Sequence, residues 1–564
     1  MRAQRRHCRW RGAQLVGHCL FLLLTRPSRT IFHCQVEGGG ARAFGPALEA
    51  LLSYLGATDA DTAAPRFPAV RLLSFLSGAP NAGIGALDNA RWHAAQSALF
   101  PVGAAGNAGE EAAAAASDSL AAPQSSFYAE AATRAAAAGI VVDLFAVPPP
   151  GGASCLDLAS LEPLPRLSCG VLAFYEHGPG DAPLPRDLHR ILSQPTALHG
   201  TLRVRTCPEL RVARAYGHCY EDRAHDALYH IIACGQHDTV AFDFEYATSE
   251  GFGAPSTVDQ PPAVQVAFEY TILLPVVVSD VAEPEDEAPD APAPPSEPSS
   301  FVRQRRRRIM TAPAKLARTR RQMFESCDAD ATTVLLTHKA IRAASSEGIL
   351  EARLMLTDWL AVLAARCSGA YAQPGSISTT ADASFACCPA LQPLPRLVYG
   401  LLSGPLLGAL HVHPDARAFT ASLATALEPL ALSRVLYPKM VPWEDVDTVG
   451  GGTLSLARAA MAATGAPIYL LDALKTVLVY YAAVPPGAPQ QPMPPPQKSA
   501  LRAALNELRD SRALTPRVLF VQGGRDDASV LEALLLDDGG VAEDSSLGAF
   551  VEAVGLAARD TATE

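Results

Sequence analysis

The sequence predicts a multidomain protein that joins α/β, β-sandwich and all-α parts. Three observations carry this expectation. First, FYAEAATRAAAAG (127–139) reads as a helix stopped by glycine, and IVVDLFAV (140–147) follows as a strand apolar enough to be buried on both faces. Second, TLRVRTC, LRVARAYG, TVAFDFEYA and AVQVAFEYTILLPVVV, between 200 and 278, alternate or run β-rich with turns between them, as antiparallel sheets do. Third, residues 322–440 change to helical spacing, as in DATTVLLTHKAIRAAS and ILEARLMLTDWLAVLAARC.

The remaining segments fit around these. At 564 residues the chain has room for roughly three to five domains. Five arginines precede LVGHCLFLLL (15–24). This stretch resembles a signal peptide, but a bilayer span takes about 20 apolar residues. Gly17 and His18 also break the run, and no clean small-residue cleavage site follows. Residues 1–37 are therefore read as a leader that stands outside the fold and is not a true signal. AFGPALEALLSYLG (43–56) is spaced as a helix, and RLLSFLSGAP (71–80) as a strand ending in a turn. Residues 102–124 are Ala/Gly/Ser-rich and read as a flexible insert. After 440 the pattern returns to mixed α/β. APIYLLDALKTVLVYYAAV leads to a Pro/Gln-rich loop (485–497), a helix at 499–510, the strand PRVLFVQ and two short helical pieces.

Charge narrows the function classes. The net charge of −11 argues against a nucleic-acid-binding protein. The charge is unevenly placed, however. Residues 280–298 hold seven acids, many prolines and no base, and read as a solvated insert; residues 303–321 hold nine Lys/Arg and no acid. In an extended RRRRI (305–309), Arg306 and Arg308 share one face, and Arg305 and Arg307 the other. Guanidinium forks at that spacing can grip carboxylates or phosphates bidentately.

Catalytic and metal signatures are not visible. The sequence has no G-x-x-x-x-G-K-[ST], G-x-S-x-G or H-E-x-x-H. The twelve cysteines form no C-x-x-C pair, which a zinc ribbon would need, and they read as reduced thiols. His411, His413 and Asp415 read as loop polarity rather than as a metal site. We expect no catalytic residue, no metal and no cofactor.

The order of these pieces, with their local wording, resembles one family. RLLSFLSGAPNAGIGAL looks like its trunk strand and turn. CLDLASLEPLPRLSCGVLAFY resembles its D-L-A-x-L … T-G-G … Y-Y stretch. LHRILSQPTALHGTLRVRTCPELRV resembles the entry to its sandwich. AVQVAFEYT followed by RQRRRRIMT resembles Q-x-A-x-x-Y-T … G-E-R-R-I-R-V-H-T. LPRLVYGLLSGPLL and LRDSRALTPRVLFV extend the likeness, which covers about residues 38–560. The family is the cargo-binding subunit of the COPII inner coat, the Sec24 type of the Sec23/Sec24 superfamily.

That resemblance implies a partial trunk like a von Willebrand A domain (38–195) and a β-sandwich with an acidic Pro-rich insert at 280–300 (196–320). It implies a helical domain (321–440) and a gelsolin-like domain (441–564) after them. It further implies a cytoplasmic protein, peripheral on ER exit sites and COPII vesicles. Its partners would be the GTPase-activating inner-coat sibling, a Sar-type GTPase, cargo cytosolic tails and SNAREs, the outer coat and the acidic ER membrane surface. Arg305, Arg306 and Arg308 become candidate cargo-binding residues, with Arg306 and Arg308 on the family's arginine positions. Arg307 replaces an apolar residue. Together with Arg303, Lys315, Arg318, Arg320 and Arg321 it forms a candidate membrane-facing basic patch. The family's zinc ribbon and the first half of its trunk are missing, so the sheet starting near residue 70 would expose an edge. The alternative is the sibling itself, the Sec23 type, which presents an arginine to the GTPase. In that register the arginine falls near Ala528. QGGRDDAS (522–529) is therefore read as a surface turn whose Asp526 or Asp527 can cap the next helix.

The acidic insert is expected to fold back on the arginines and compete with acidic cargo. Deleting 280–298 should tighten binding of an acidic tail peptide in a fluorescence anisotropy titration. An unchanged affinity would refute that competition.

Overall fold

A computed structural model describes residues 19–24, 29–34, 40–57, 70–100, 107–149, 155–178, 183–249, 251–253, 261–276, 300–372, 382–408, 412–483, 491–538 and 546–563. Most of the acidic insert, and most of the leader, lies outside these residues.

The first unit is an α/β layer structure. Its strands are β1 (Cys19–Leu24), β2 (Arg29–Cys34), β3 (Val70–Leu76), β4 (Ile140–Ala146) and β5 (Leu172–Phe174), and its helices are α1 (Phe44–Leu55), α2 (Ala90–Leu99), α3 (Asn107–Ala121), α4 (Phe127–Ala137), α5 (Leu158–Leu161), α6 (Pro163–Ser168) and α7 (Leu184–Ser193). The sheet order is β2-β1-β3-β4-β5. β3, β4 and β5 run parallel, and all seven residues of β4 are buried, as its unbroken apolar run requires. The one charge in that run, Asp143, is held by the Arg71 guanidinium at 2.5 and 3.1 Å and by the Val171 amide at 2.8 Å. Those bonds are what make a buried carboxylate tolerable.

Two expectations are corrected here. Residues 102–124 are not a flexible insert, because Asn107–Ala121 is helix α3. Alanine carries the smallest helix cost of any residue, so an alanine-rich stretch with a packing partner becomes helical. The partner is visible: Ala114 of α3 joins the core of the helical domain. The leader is not wholly outside the fold either. β1 pairs antiparallel with β3 along Cys19–Leu24, and β2 pairs with β1. The edge of β3 that was expected to be open is thereby paired, which satisfies its backbone groups.

The sandwich comprises β6 (Ala197–Thr206), β7 (Leu210–Tyr216), β8 (Tyr220–Glu221), β9 (Leu228–Cys234), β10 (Ala241–Tyr246), β11 (Ala263–Val276) and β12 (Ser300–Pro313). One sheet has the order β12-β11-β6-β9-β8, and the other pairs β10 with β7. Leu202, Val204, Tyr229 and Ile231 lie in their shared core.

The helical unit holds α8 (Arg320–Glu325), α9 (Ala329–Ser346), α10 (Ile349–Tyr371), α11 (Leu394–Ser403), α12 (Pro414–Ala424) and α13 (Pro429–Leu436). Gly400 lets α11 close on the end of α13, since a Cβ there would fall 2.1 Å from the Leu436 carbonyl oxygen. The last unit has β13 (Lys439–Trp443), α14 (Arg458–Thr464), β14 (Ile468–Asp472), β15 (Thr476–Tyr481), α15 (Ala500–Asp510), β16 (Arg517–Gln522), α16 (Ser529–Leu534) and α17 (Leu547–Thr563). Its sheet runs β13-β14-β15-β16, antiparallel except for the parallel pair β15–β16. The last of the expected short helical pieces is instead a 17-residue helix, and its Val554 and Ala558 are buried in the core of the helical unit.

Among the described residues no helix is long and apolar enough to cross a membrane. The nine cysteines from Cys155 to Cys388 are free thiols.

One buried histidine makes the fold sensitive to acid. His338 of α9 stacks on Tyr216 of β7 with ring centroids 4.9 Å apart, and burial pushes its pKa down to about 4. Between that value and the ordinary histidine range, the unfolded chain takes up a proton that the native chain refuses. Stability from this site is therefore complete near neutrality and lost as the pH falls. From about pH 7.5 to pH 5 the loss should be about 2 kcal/mol. His338→Phe should remove that share of the acid sensitivity, read by comparing urea unfolding of both proteins at the two pH values.

Candidate functional site: an arginine-rich edge strand

β12 is the terminal strand of its sheet and pairs only with β11 among the described strands. The described side chains from Val302 to Pro313 are exposed apart from Arg306, which is half-buried. Ile309 and Met310 are more than half exposed. An exposed edge of this length is a natural acceptor for another chain, and charge along it discourages indiscriminate pairing.

The register gives each arginine a neighbour across the strands. Arg305, Arg306, Arg307 and Arg308 lie opposite Thr271, Tyr270, Glu269 and Phe268. On the odd face, Glu269 accepts from Arg305 Nε and from Arg307 Nη2, each at 3.1 Å. Arg305 also donates to the His199 carbonyl at 2.8 Å. These bonds hold the Glu269 carboxyl below its usual range, Arg305 contributing most. On the even face, among the described residues, no carboxylate answers the arginines. Arg306 donates to Gln304 Oε1 at 3.0 and 2.9 Å, and Arg308 reaches only the Tyr270 hydroxyl, at 3.5 Å. That hydroxyl's pKa is drawn down by the Arg308 guanidinium. Phe268 and Tyr270 stack beside this face at 4.9 Å.

The structure therefore divides the three candidate cargo residues. Arg306 and Arg308 share one face, and Arg305 lies on the other, tied to Glu269. Glu269 is the residue that sequence reasoning missed. Its place opposite Arg307 depends on a hairpin register that the insert hides. Of the basic-patch candidates, Arg303, Lys315, Arg318 and Arg320 are exposed. Arg321 donates to Glu325 at 2.8 Å and lies over the Tyr371 ring.

Residues 522–529 form the expected surface turn, but the N-cap of α16 is Ala528 rather than an aspartate. β16 ends at Gln522 and α16 starts at Ser529. Asp527 accepts from the Ser529 amide and hydroxyl, both at 2.9 Å, and Asp526 from the Gln522 amide at 2.8 Å. Arg525 is exposed, and no described group lies within hydrogen-bond reach of its guanidinium. His413 caps α12 by accepting from the Asp415 amide at 3.3 Å, while His411 lies outside the described residues. Among the described residues no three His, Cys, Asp or Glu side chains gather in a way that could hold a metal ion.

The described units are a parallel-sheet trunk, an arginine-edged sandwich, a helical bundle and a mixed-sheet terminal unit. Across 93% of this chain the fold matches the crystal structure of the human COPII-coat protein Sec24c, with a TM-score of 0.69, 18% identity and 62% of that chain covered. Residues 328–434 match the Sec23/Sec24 helical domain. The chain is 36% identical over 526 residues to "Protein transport protein SEC23 D" of Arabidopsis thaliana, covering 92% of this chain and 65% of that protein. It is 25% identical over 305 residues to "Protein transport protein sec24" of Aspergillus terreus, covering 52% of this chain and 29% of that protein. Together these likenesses support a place in the Sec23/Sec24 superfamily. The chain spans less than two thirds of the length of each of these relatives.

The two faces of β12 should separate in binding. Arg306→Ala and Arg308→Ala should each weaken capture of an acidic peptide about fivefold at low salt, the upper end for one exposed ion pair. Arg305→Ala should change it little. Fluorescence anisotropy with one labelled peptide across the three variants reads the difference.

Proposed function

We propose that this chain is a subunit of the inner layer of the COPII coat, working at the cytosolic face of the endoplasmic reticulum in transport toward the Golgi. The observation that carries this reading is the fold match over 93% of the chain to a COPII-coat protein. On this reading its partners are the other inner-coat subunit, a Sar-type GTPase, cargo and SNARE tails, the outer coat and an anionic membrane surface that the exposed basic residues of 303–321 would face. No resident metal or cofactor is part of the proposal.

Two roles exist within that layer. The cargo-adaptor role read from the sequence is supported by Arg306 and Arg308, whose face has no carboxylate partner among the described residues. The GTPase-activating role is favoured by the 36% identity to SEC23 D over 92% of the chain, against 25% over 52% for the sec24 relative. We place the activating role first on that ground. Arg525 is then the side chain to watch. It is exposed, and its acidic neighbours Asp526 and Asp527 are turned back into their own loop. A guanidinium delivered to a developing phosphate charge in trans raises turnover by about a thousandfold or more in the best cases.

The test is GTP turnover by a Sar-type GTPase on anionic vesicles, with and without the full chain. Activation that Arg525→Ala cuts at least tenfold supports the activating role. No activation, together with acidic-peptide binding that needs Arg306 and Arg308, supports the adaptor role. Neither activity, with no capture of an inner-coat partner, would remove the coat assignment.

A further inference from the structure

A cleft of about 570 Å³ opens where the trunk, the sandwich and the helical unit meet. Leu120 and Pro163 of the trunk and Ile341, Leu407 and Ala418 of the helical unit give it aliphatic walls. Two arginines from different units line it as well, Arg214 on β7 and Arg342 on α9. Strand geometry puts Arg214 on the same face of β7 as Tyr216, and helix geometry puts Arg342 on the same face of α9 as His338. The Tyr216 and His338 rings stack, 4.9 Å apart and 15° from parallel. That stack ties the two elements together, so each arginine sits one step along its own element from a shared fixed point.

The other charges around the cleft are engaged. Glu162 accepts from Arg166 at 3.0 Å, and Asp118 accepts from the Ile349 amide at 3.0 Å. Arg417 donates to the Pro405 and Leu406 carbonyls at 2.9 and 2.7 Å. Asp243, opposite Arg214 across the β7–β10 pair, is held by Lys339 at 2.7 Å. Arg214 and Arg342 are exposed, and among the described residues no carboxylate reaches either within ion-pair distance. Two like charges brought to one cleft from separate units repel, and an anion between them reverses the sign of that interaction. We infer that this cleft binds a small phosphomonoester, with its phosphate held by Arg214 and Arg342 and its aliphatic body against the walls behind them.

The number of forks argues for a phosphate over a carboxylate. A carboxylate is filled by one guanidinium fork, whereas a phosphomonoester carries three terminal oxygens and close to two charges, enough for both. The lining rings, Tyr216 and His338, are turned on each other, and the remaining apolar wall is aliphatic. That wall favours an alkyl chain over a nucleobase. The volume lies in the range of small-molecule clefts, roughly 300–1,000 Å³, and takes one molecule rather than a bilayer surface. This inference does not depend on the coat role, since the cleft involves neither β12 nor the turn around Arg525.

The test uses the full chain carrying Arg306→Ala and Arg308→Ala, so that the edge strand contributes nothing. Calorimetric titration is run with octyl phosphate below its micelle threshold. Octanoate, adenosine monophosphate and inorganic phosphate serve as comparison arms. The expected result is saturable binding of octyl phosphate, about tenfold tighter than that of octanoate or inorganic phosphate. Arg214→Gln and Arg342→Gln should each weaken it about tenfold. Arg342→Lys should bind between the parent and Arg342→Gln, because an ammonium keeps the charge and loses the fork. Both arginines are exposed, so the unliganded melting temperature of each variant should match that of the parent, which separates lost binding from lost folding. The inference is overturned if octyl phosphate does not saturate the chain, if octanoate binds as tightly, or if either glutamine variant binds unchanged. Inorganic phosphate bound as tightly as octyl phosphate would reduce the site to a surface anion contact and overturn it too. A preference for adenosine monophosphate would overturn the aliphatic assignment.

Discussion

The arrangement of the whole molecule rests on carboxylates buried at the junctions between its units. Asp415, at the start of α12, is 1% exposed and accepts from the Leu156 and Leu158 amides of the trunk at 2.7 and 2.8 Å. Asp187, at the start of α7 in the trunk, does the same in the other direction. It accepts from the Thr515 amide of the C-terminal unit at 2.7 Å and from the Tyr175 hydroxyl at 3.0 Å. Arg190 adds a bond of 2.6 Å to the Arg512 carbonyl. A buried carboxylate satisfied by backbone amides works in one geometry only, and removing its partners leaves a charge without solvent. These bonds fix the relative position of three units more sharply than apolar packing could. Phe419 of α12, which lies in the trunk core, then follows from where Asp415 holds the helix.

The local elements were largely legible because burial leaves a periodic trace. β4 could be read from IVVDLFAV, since a strand covered on both faces shows no alternation. What escaped was whatever depends on a partner elsewhere in the chain. Residues 107–121 look like filler by composition, and only the helical unit against which Ala114 packs explains their order. The aspartate in IVVDLFAV looks like a flaw until Arg71 is found on β3, the strand before it. α17 was foreshadowed only as a short helical piece because its buried face belongs to another unit's core.

The candidate site was legible to the same degree. The alternation of the four arginines follows from strand geometry alone, so the split between Arg305 and the pair Arg306 and Arg308 could be drawn in advance. Which face was neutralised could not. Glu269 is separated from Arg305 by 36 positions that include the acidic insert, and the insert's own acids mask the single one that matters.

The division of the arginines also bears on what an edge strand can do. Charge on an exposed edge serves first to keep other strands away, and for that purpose either face would do. A ladder meant only as a guard needs no internal counter-ion, because repulsion is its function. Here one face is partly neutralised by Glu269 and, among the described residues, the other is left to a neutral amide and a phenol. Neutralising one face lowers the repulsion that four adjacent arginines would otherwise build up, and so makes the cluster affordable in a folded sheet. The charge that remains points in one direction, beside the Phe268 and Tyr270 rings, and it is the kind that a bidentate carboxylate satisfies better than water does. A uniform guard would repel all comers alike, whereas this strand repels cations and offers an acidic chain two guanidinium forks on a partly apolar face. The asymmetry is set by one glutamate on the neighbouring strand.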